Sequence, residues 1–592
     1  MLVGTVSVFA SCGKEDPCKN GHVNENADGK CDICEEVIQH RHKDDDGDKK
    51  CDVCSKDMSD GNVDGGGGDE IIEYPWIDDD PVKLIFQMTE HTNGRQNPSG
   101  CHRYLAGDDP DAKETIDTNI ANRNADAEFY TNVMVSYLYY LDVPEYEWGK
   151  CIEIIYNNSM SNSTKDLPDM YCNFTYDMVG TSLKGSLANL KSTKLNYDGA
   201  NYFEFLDEDY DETKDNKGYM YEYMESTTLS QHKMYVLASD YFIDLVRAFF
   251  VVPVNISLLN SVVEDVTGDK NGDGDYTIED FYLEVEEQKW TYNKVAQYSA
   301  AVYKPGAGND SDENIDDTLG MALSFSGPCS SGIVYSTNVT VIEKVMNTDK
   351  GDYDYSYPTD GSALYELFDA VANLLTQKGV FALHKDHNQA KKYGTSAALT
   401  IRARFCENKI LFGDIVCLGA LEEEDTYQKL NASKDSGFGV VPVPLYKEAA
   451  EGSTNNYLTS IHNNARPGGI AKTTKHFAEC TAFLNYQSTH SPEILEDYYD
   501  DLMVRFANGS EGTIRMLQYI RLNVRSAFDK TFEDAIGVYE SELFKQEWHQ
   551  LIINDDKPDS VSGVDIRTAY KQTRDNKHKV LETLYKLFPE LP

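Results

Sequence analysis

Residues 437–470 restrict what this chain can fold into more than any other stretch. Gly437-Phe438-Gly439-Val440-Val441 is apolar and opens on glycine, the pattern of a short buried strand. Pro442 and Pro444 fix φ and remove two N–H donors, so the chain leaves that strand extended. A polar, glycine-containing loop follows. Asn456 to His462 is a second strand-like piece, and Arg466-Pro467-Gly468-Gly469 reads as a second break. Beyond it the pattern is helical for about fifty residues.

With 592 residues, the chain is long enough for about three or four folding units. Its 100 acidic residues outnumber 54 basic ones, a net charge of -46 that repels phosphate backbones and anionic lipid surfaces. No nucleic-acid partner is expected. The 39 tyrosines offer flat faces and hydroxyls, which suit sugars, although secreted proteins carry many tyrosines without any ligand. No stretch has the roughly 20 apolar residues of a membrane span.

Residues 1–12 resemble part of a lipoprotein signal. The apolar run from Leu2 ends in Phe9-Ala10-Ser11-Cys12, small residues before a cysteine that would be acylated, while the usual basic start is missing. A lipid on Cys12 would tether the protein to the extracellular face of a bacterial membrane, its sole membrane contact. Residues 13–58 hold two copies of H-x-(N/D)-x-(N/D)-x-D-x-x-C-D-x-C at a period of 20. One copy supplies Cys18, His22, Cys31 and Cys34; the other supplies His40, His42, Cys51 and Cys54. Four nitrogen and sulfur ligands per copy suit tetrahedral zinc. A segment this polar cannot bury a core and needs a metal or a disulfide to fold. Pairing of each C-x-x-C, with calcium on the acidic residues, is the competing reading. Residues 59–81, with Gly65 to Gly68, read as a flexible linker.

The body is expected over residues 82–537. Val82 to Phe86 reads as a first buried strand, and the polar loop after it carries Glu90 and His91. Arg123 is expected to pair with the acidic flank of its own helix. Gly199 to Glu225, acidic and rich in tyrosine, reads as a surface insertion. Asn255 and Thr291 are placed to cap helices, and Trp290 is weighed as core against sugar stacking. Leu364, Leu367, Phe368, Val371, Leu374 and Leu375 mark an amphipathic helix that Gly379 ends. Asp269, Asn271, Asp273, Asp275 and Asp280 fall at the spacing D-x-N-x-D-G-x-x-x-x-x-D of a calcium loop, with Gly274 at the sharp turn. Asp in place of Glu at the last position and the single copy leave an acidic, helix-capping turn as the alternative. Residues 538–592 read as a charged helical extension.

Several phrases together resemble the bacterial extracellular solute-binding proteins of ABC importers, family 1 type. They are Arg247 to Leu259 (RAFFVVPVNISLL), Lys289 to Val295 (KWTYNKV), and Phe438 to Tyr446 (FGVVPVPLY) followed by Tyr457 and His462. The resemblance covers roughly Val82 to Gly537. It implies an α/β, two-lobed type II periplasmic-binding-protein fold with a hinge, here preceded by the Cys/His repeats and the Gly-rich linker. It implies a surface lipoprotein that captures a solute, a carbohydrate by expectation, and delivers it as a monomer to ABC importer permease subunits. The ligand residues it implies are Glu90, His91, Tyr171, Asn173, Arg247, Tyr457, His462, Asn463 and Asn464. The cofactors expected are zinc in the repeats and structural calcium at 269–280. Catalysis is not expected: G-x-S-x-G, H-E-x-x-H and phosphate-loop motifs are missing, and the seven body cysteines are scattered. A surface scaffold using its metal-binding repeats, and a secreted polysaccharide-active enzyme, are the alternatives.

Overall fold

In a computed structural model, the described residues are 80–89, 101–107, 115–140, 149–161, 167–192, 200–207, 210, 217–306, 313–337, 339, 342–356, 362–383, 388–422, 437–449, 457–506, 511–526 and 528–536. The lipidation signal with Cys12, both Cys/His repeats, Glu90, His91 and the C-terminal extension lie outside them. The residues from Pro81 onward belong to one compact unit.

Two sheets organise that unit. In the first, β1 (Val82–Thr89) lies parallel to β2 (Val133–Tyr140) and to β3 (Met170–Cys172). In the second, β5 (Leu319–Leu323) lies parallel to β8 (Val380–Ala382) and to β9 (Ile410–Phe412). Each sheet then takes an antiparallel strand from elsewhere in the chain. The second sheet receives β4 (Phe250–Asn255), the strand reached when the chain leaves the first sheet. The first receives β12 (Gly468–Ile470), reached when the chain leaves the second. The orders β2-β1-β3-β12 and β8-β5-β9-β4 are therefore the same pattern built twice. β10 (Val416–Cys417) continues the line of β9 along β4, and β11 (Phe438–Val441) covers the other edge of β4. A hairpin of β6 (Glu343–Asn347) and β7 (Asp352–Ser356) interrupts the connection from β5 to β8.

The parallel strands are joined through helices, as parallel pairing requires. Thr115–Thr131 and Lys150–Met160 serve the first sheet; Ser362–Leu375 and Ala397–Cys406 serve the second. Local sequence sets several starts. The side chain of Asn255 accepts the Leu258 N–H, Thr291 accepts the Lys294 N–H, and Thr277 with Asp280 forms a capping box on Ile278–Glu286. Trp290 is fully buried against Phe281 and Phe412, and its indole N–H reaches the Pro442 carbonyl, so it is core. No described helix is long and apolar enough to cross a membrane.

Three expectations need correction. Residues 466–469 are not merely a break: Gly468 and Gly469 belong to β12. Any side chain at Gly468 would run into the Phe242 ring, which is why a strand edge carries glycine here. The segment 199–225 is not a simple surface insertion, because Phe203, Phe205, Tyr219 and Tyr223 are buried. Arg123 does not serve its own helix's acidic flank. It is buried, lies over the Tyr241 ring, and donates to Ser491 Oγ and the Tyr104 carbonyl, each at 3.0 Å. Gly468→Val is expected to lower stability by about 1–3 kcal/mol in urea unfolding, because overpacking must displace Phe242 or part β12 from β3.

Candidate functional site

The two sheets meet where the chain crosses between them. The first crossing, near Ala248 to Phe250, and the second, near Ser460 to His462, pair antiparallel: Phe250 N–H donates to the Ser460 carbonyl, and His462 N–H to that of Ala248. A third crossing pairs parallel beside them through Thr459 N–H to Asn523 O and Arg525 N–H to Thr459 O. Three extended segments thus lie side by side as a hinge.

Buried charges tie the crossings together. Arg247 makes a two-pronged contact with Glu422, both bonds 2.9 Å, and a 2.7 Å bond to Asp244. The second oxygen of Asp244 accepts from Arg466 at 2.8 Å. Tyr498 donates to Glu422, and the Arg247 guanidinium faces the Tyr104 ring. Burial opposes the charge on Arg247, but Glu422 and Asp244 outweigh it and raise its affinity for the proton.

This geometry reassigns most of the expected ligand residues. Arg247 is a structural ion-pair partner. Tyr457 is fully buried, and its hydroxyl accepts the Trp290 N–H. Tyr171 is 1% exposed, packs with Ile155 and Met178, and accepts from Asn158. Asn463 is buried and donates to the Lys530 carbonyl, while the Asn464 N–H donates to His462 Nδ1. His462 packs edge-on against Phe250; burial and then the Lys530 charge push its imidazole down from 6.5 to about 3. Asn173 is buried at the end of β3, its N–H on the Pro467 carbonyl and its side-chain oxygen without a partner among the described residues. Arg247, Tyr457, His462 and Asn463 thus bond neighbouring residues where the chain crosses between the sheets.

The calcium-loop residues are also occupied within their own turn. Asp269 accepts from Gly272 and Gly274 N–H, Asn271 from Asp273, and Asp273 from Asp275. Asp280 is fully buried, and its carboxylate accepts three backbone N–H groups, from Lys270, Asn271 and Thr277. That position closes the capping box. Among the described residues no three His, Cys, Asp or Glu side chains converge on a metal-sized centre.

A cavity of ≈ 600 Å³ opens where three parts of the chain meet. The first lobe supplies Lys191, Tyr221, Glu222, Glu225, Ser226 and Gln231. The β6–β7 region, an excursion from the second lobe, supplies Ile342, Lys344 and Tyr353. The run after the third crossing supplies Ser526 and Phe528. Glu225 sits at the centre, with Lys191 Nζ at 2.7 Å and the Tyr353 hydroxyl at 2.6 Å. Burial works against its charge, but these bonds hold its carboxyl below the usual range. Burial also pushes the Lys344 ammonium down to about 8, partly opposed by Glu225. None of these lining residues stood out in the sequence, where the tyrosine-rich stretch near Tyr221 was the one available signal.

No protein-family model matches the chain, and no curated protein is a significant relative. Solved structures of similar arrangement include sugar-binding and solute-binding proteins. The sugar-binding protein MalE from Xanthomonas citri has a TM-score of 0.47 at 9% identity, over 86% of this chain and 100% of its own. The galacto-N-biose/lacto-N-biose I-binding protein of an ABC transporter from Bifidobacterium longum has a TM-score of 0.44 at 9% identity, over 86% and 98%. A family 1 extracellular solute-binding protein from Bifidobacterium longum subsp. infantis has a TM-score of 0.40 at 11% identity, over 86% and 99%. Scores below 0.5 leave the architecture to be judged from this chain's own strand pairing.

Two outcomes follow from the hinge chemistry. Arg247→Met removes the charge partner of Glu422 and one of the two on Asp244, which keeps Arg466, and is expected to cost about 3 kcal/mol in urea unfolding. The pH dependence of His462 has a definite sign. Its folded value lies below the unfolded one, so the unfolded chain binds the proton first. The stability that neutral His462 contributes is complete above pH 6.5 and is lost as pH falls toward about 3. His462→Gln keeps an acceptor for Asn464 without titrating. Its melting temperature is expected to fall less steeply than that of the wild type across that window.

Proposed function

We propose that this protein captures an extracellular solute between its two lobes and hands it to an ABC importer. The observation that carries this reading is the doubled sheet, in which each lobe holds the other's outgoing strand at a three-segment hinge. Such a joint lets two rigid bodies turn about extended segments without breaking either core. The open cavity lined by the first lobe and by the β6–β7 excursion of the second is where a solute would be held.

The solute is a carbohydrate in this reading. Tyr221, Tyr353 and Phe528 are aromatic residues of the lining, and Gln231, Ser226 and Ser526 are uncharged polar ones. Apolar ring faces against C–H patches, with polar groups at the edges, match a sugar's two-sided surface. Acylation of Cys12 would hold the protein on the outer face of the membrane, with residues 13–81 as a stalk carrying zinc in its repeats. Calcium at 269–280 would act structurally, bracing the capped helix.

The test is thermal: residues 74–592 are melted with a panel of mono- and oligosaccharides, with amino acids and peptides as controls. At about 100-fold excess over Kd, a bound solute adds about 2.7 kcal/mol, a rise of a few degrees. A response limited to saccharides is expected. A response to amino acids or peptides alone overturns the carbohydrate assignment, and a flat result across the panel overturns solute capture.

A further inference from the structure

The chain enters the second lobe twice, at the first crossing and again at the third. The β6–β7 hairpin follows the first of these entries, and helix Phe528–Ile536 follows the other. Both belong to the second lobe by connectivity. Both reach back to one short piece of the first lobe, residues 225–231 at the end of helix Tyr221–Ser226. That helix is anchored in the first lobe, where the Tyr223 hydroxyl bonds Thr175 Oγ1 at 2.7 Å, just after β3.

The hairpin makes most of the bonds. Lys344 donates to the carbonyls of Glu225 and Thr228, and Tyr353 to the Glu225 carboxylate at 2.6 Å. Tyr355 donates to the Leu229 carbonyl at 2.7 Å. Asp352 accepts from Ser230 Oγ at 2.7 Å and from Gln231 N–H at 2.9 Å. The helix adds Thr531, whose hydroxyl donates to the Ser226 carbonyl at 2.7 Å, and it packs on helix Thr175–Leu183.

The two arms are also joined to each other. The Tyr355 ring lies on Phe528 with centroids 4.8 Å apart, and Phe528 stacks on the buried Phe532 at 4.5 Å. The helix is held on its own lobe as well. Lys530 lies over the Tyr335 ring, at the end of a helix packed on β4 and β10, and its carbonyl accepts from Asn463 beside the hinge. A hinge of extended segments lets the lobes turn; bridging contacts away from it decide where they rest. Once one arm is seated, the other meets its partners at high effective concentration, so the two reinforce each other.

We propose that the β6–β7 hairpin and helix Phe528–Ile536 form a two-armed clasp, which closes on residues 225–231 and holds the lobes together without a solute. The clasp goes beyond the solute-capture reading and is independent of which solute is bound. A solute is then met by a closed body and does not have to close an open one.

The test uses the full chain with no solute added. Spin labels are attached through a ketone-bearing amino acid at Glu153 in the first lobe and Asp369 in the second, both exposed on helices. Their separation is read by pulsed dipolar spectroscopy. The wild type is expected to give one narrow distance. Thr531→Val keeps the side chain's shape and loses one hydrogen bond, which raises the ratio of opened to closed molecules about two- to tenfold. Asp352→Ala with Tyr355→Phe removes three bonds and raises it further, and combining all three substitutions gives a distinct second distance. A combined variant that keeps the wild-type distance overturns the proposal. So does a broad or doubled distance in the wild type. Faster hydrogen exchange over residues 343–356 with the distance unchanged overturns it too, since the hairpin would then be a piece of the first lobe. Thr531→Val and Tyr355→Phe conserve shape, so that pair decides the question if Asp352→Ala melts early. Because no solute is present, failure here leaves solute capture standing.

Discussion

Two lobes can share one chain only if the crossings are held together, and here backbone pairing and buried charge do so at the same place. Ala248 to Phe250, Thr459 to His462 and Asn523 to Arg525 satisfy one another's N–H and C=O groups in a region where water is scarce. The chain of Arg466, Asp244, Arg247 and Glu422 then links both ends of that joint with paired charges. Burying four ions is costly, and apolar replacements often serve stability as well. What ions add is direction. The two-pronged Arg247 contact is strong only in one geometry, which fixes how the crossings register. A joint built this way can bend along its extended segments while its register stays put.

The repeated strand order follows from the same exchange. Neither β4 nor β12 can form until the chain has crossed, so each sheet is completed by a segment distant in sequence. β12 pairs with β3 across nearly 300 residues: Gly468 lies opposite Cys172. Such pairings carry a loop-closure cost before any contact offsets it. The lobes therefore depend on each other for completion, which is consistent with the described residues from Pro81 onward forming one compact unit. Helix Glu511–Leu522 adds to this. Arg515 on it pairs with Glu279 and Glu286 in the second lobe, and Arg521 pairs with Asp240 in the first.

What the sequence made legible was local. The caps at Asn255 and Thr291, the core role of Trp290, and the strand at Phe438–Val441 depend on nearest neighbours, and the structure has each of them. The two-lobed α/β arrangement was what the resemblance to the family 1 solute-binding proteins implied. What stayed hidden depends on distant contacts. Gly468 and Gly469 look like a break until Phe242 is known to lie against them. His462 and Arg247 look like ligand residues because polar side chains at strand ends often are. Only the packing of Phe250 and the carboxylates of Asp244 and Glu422 show that they brace the hinge instead. The cavity was least legible of all, because its lining comes from three segments with no common pattern.

That contrast has a physical origin. A hinge must be buried and extensively paired, so it draws its polar residues from the same alphabet as a binding site. Tyr457 and His462 satisfy neighbours; Ser526 has none to satisfy among the described residues. The difference between a structural and a receptive polar group is thus whether its partner is already present. At the crossings themselves Ser460 Oγ and Arg466 Nε are buried without a hydrogen-bond partner among the described residues, so the pairing there is extensive but not complete. The cavity beside the β6–β7 hairpin brings aromatic and polar residues from three parts of the chain together. The hairpin's outer face is exposed, and its inner contacts combine hydrogen bonds with the packing of Tyr355 on Phe528.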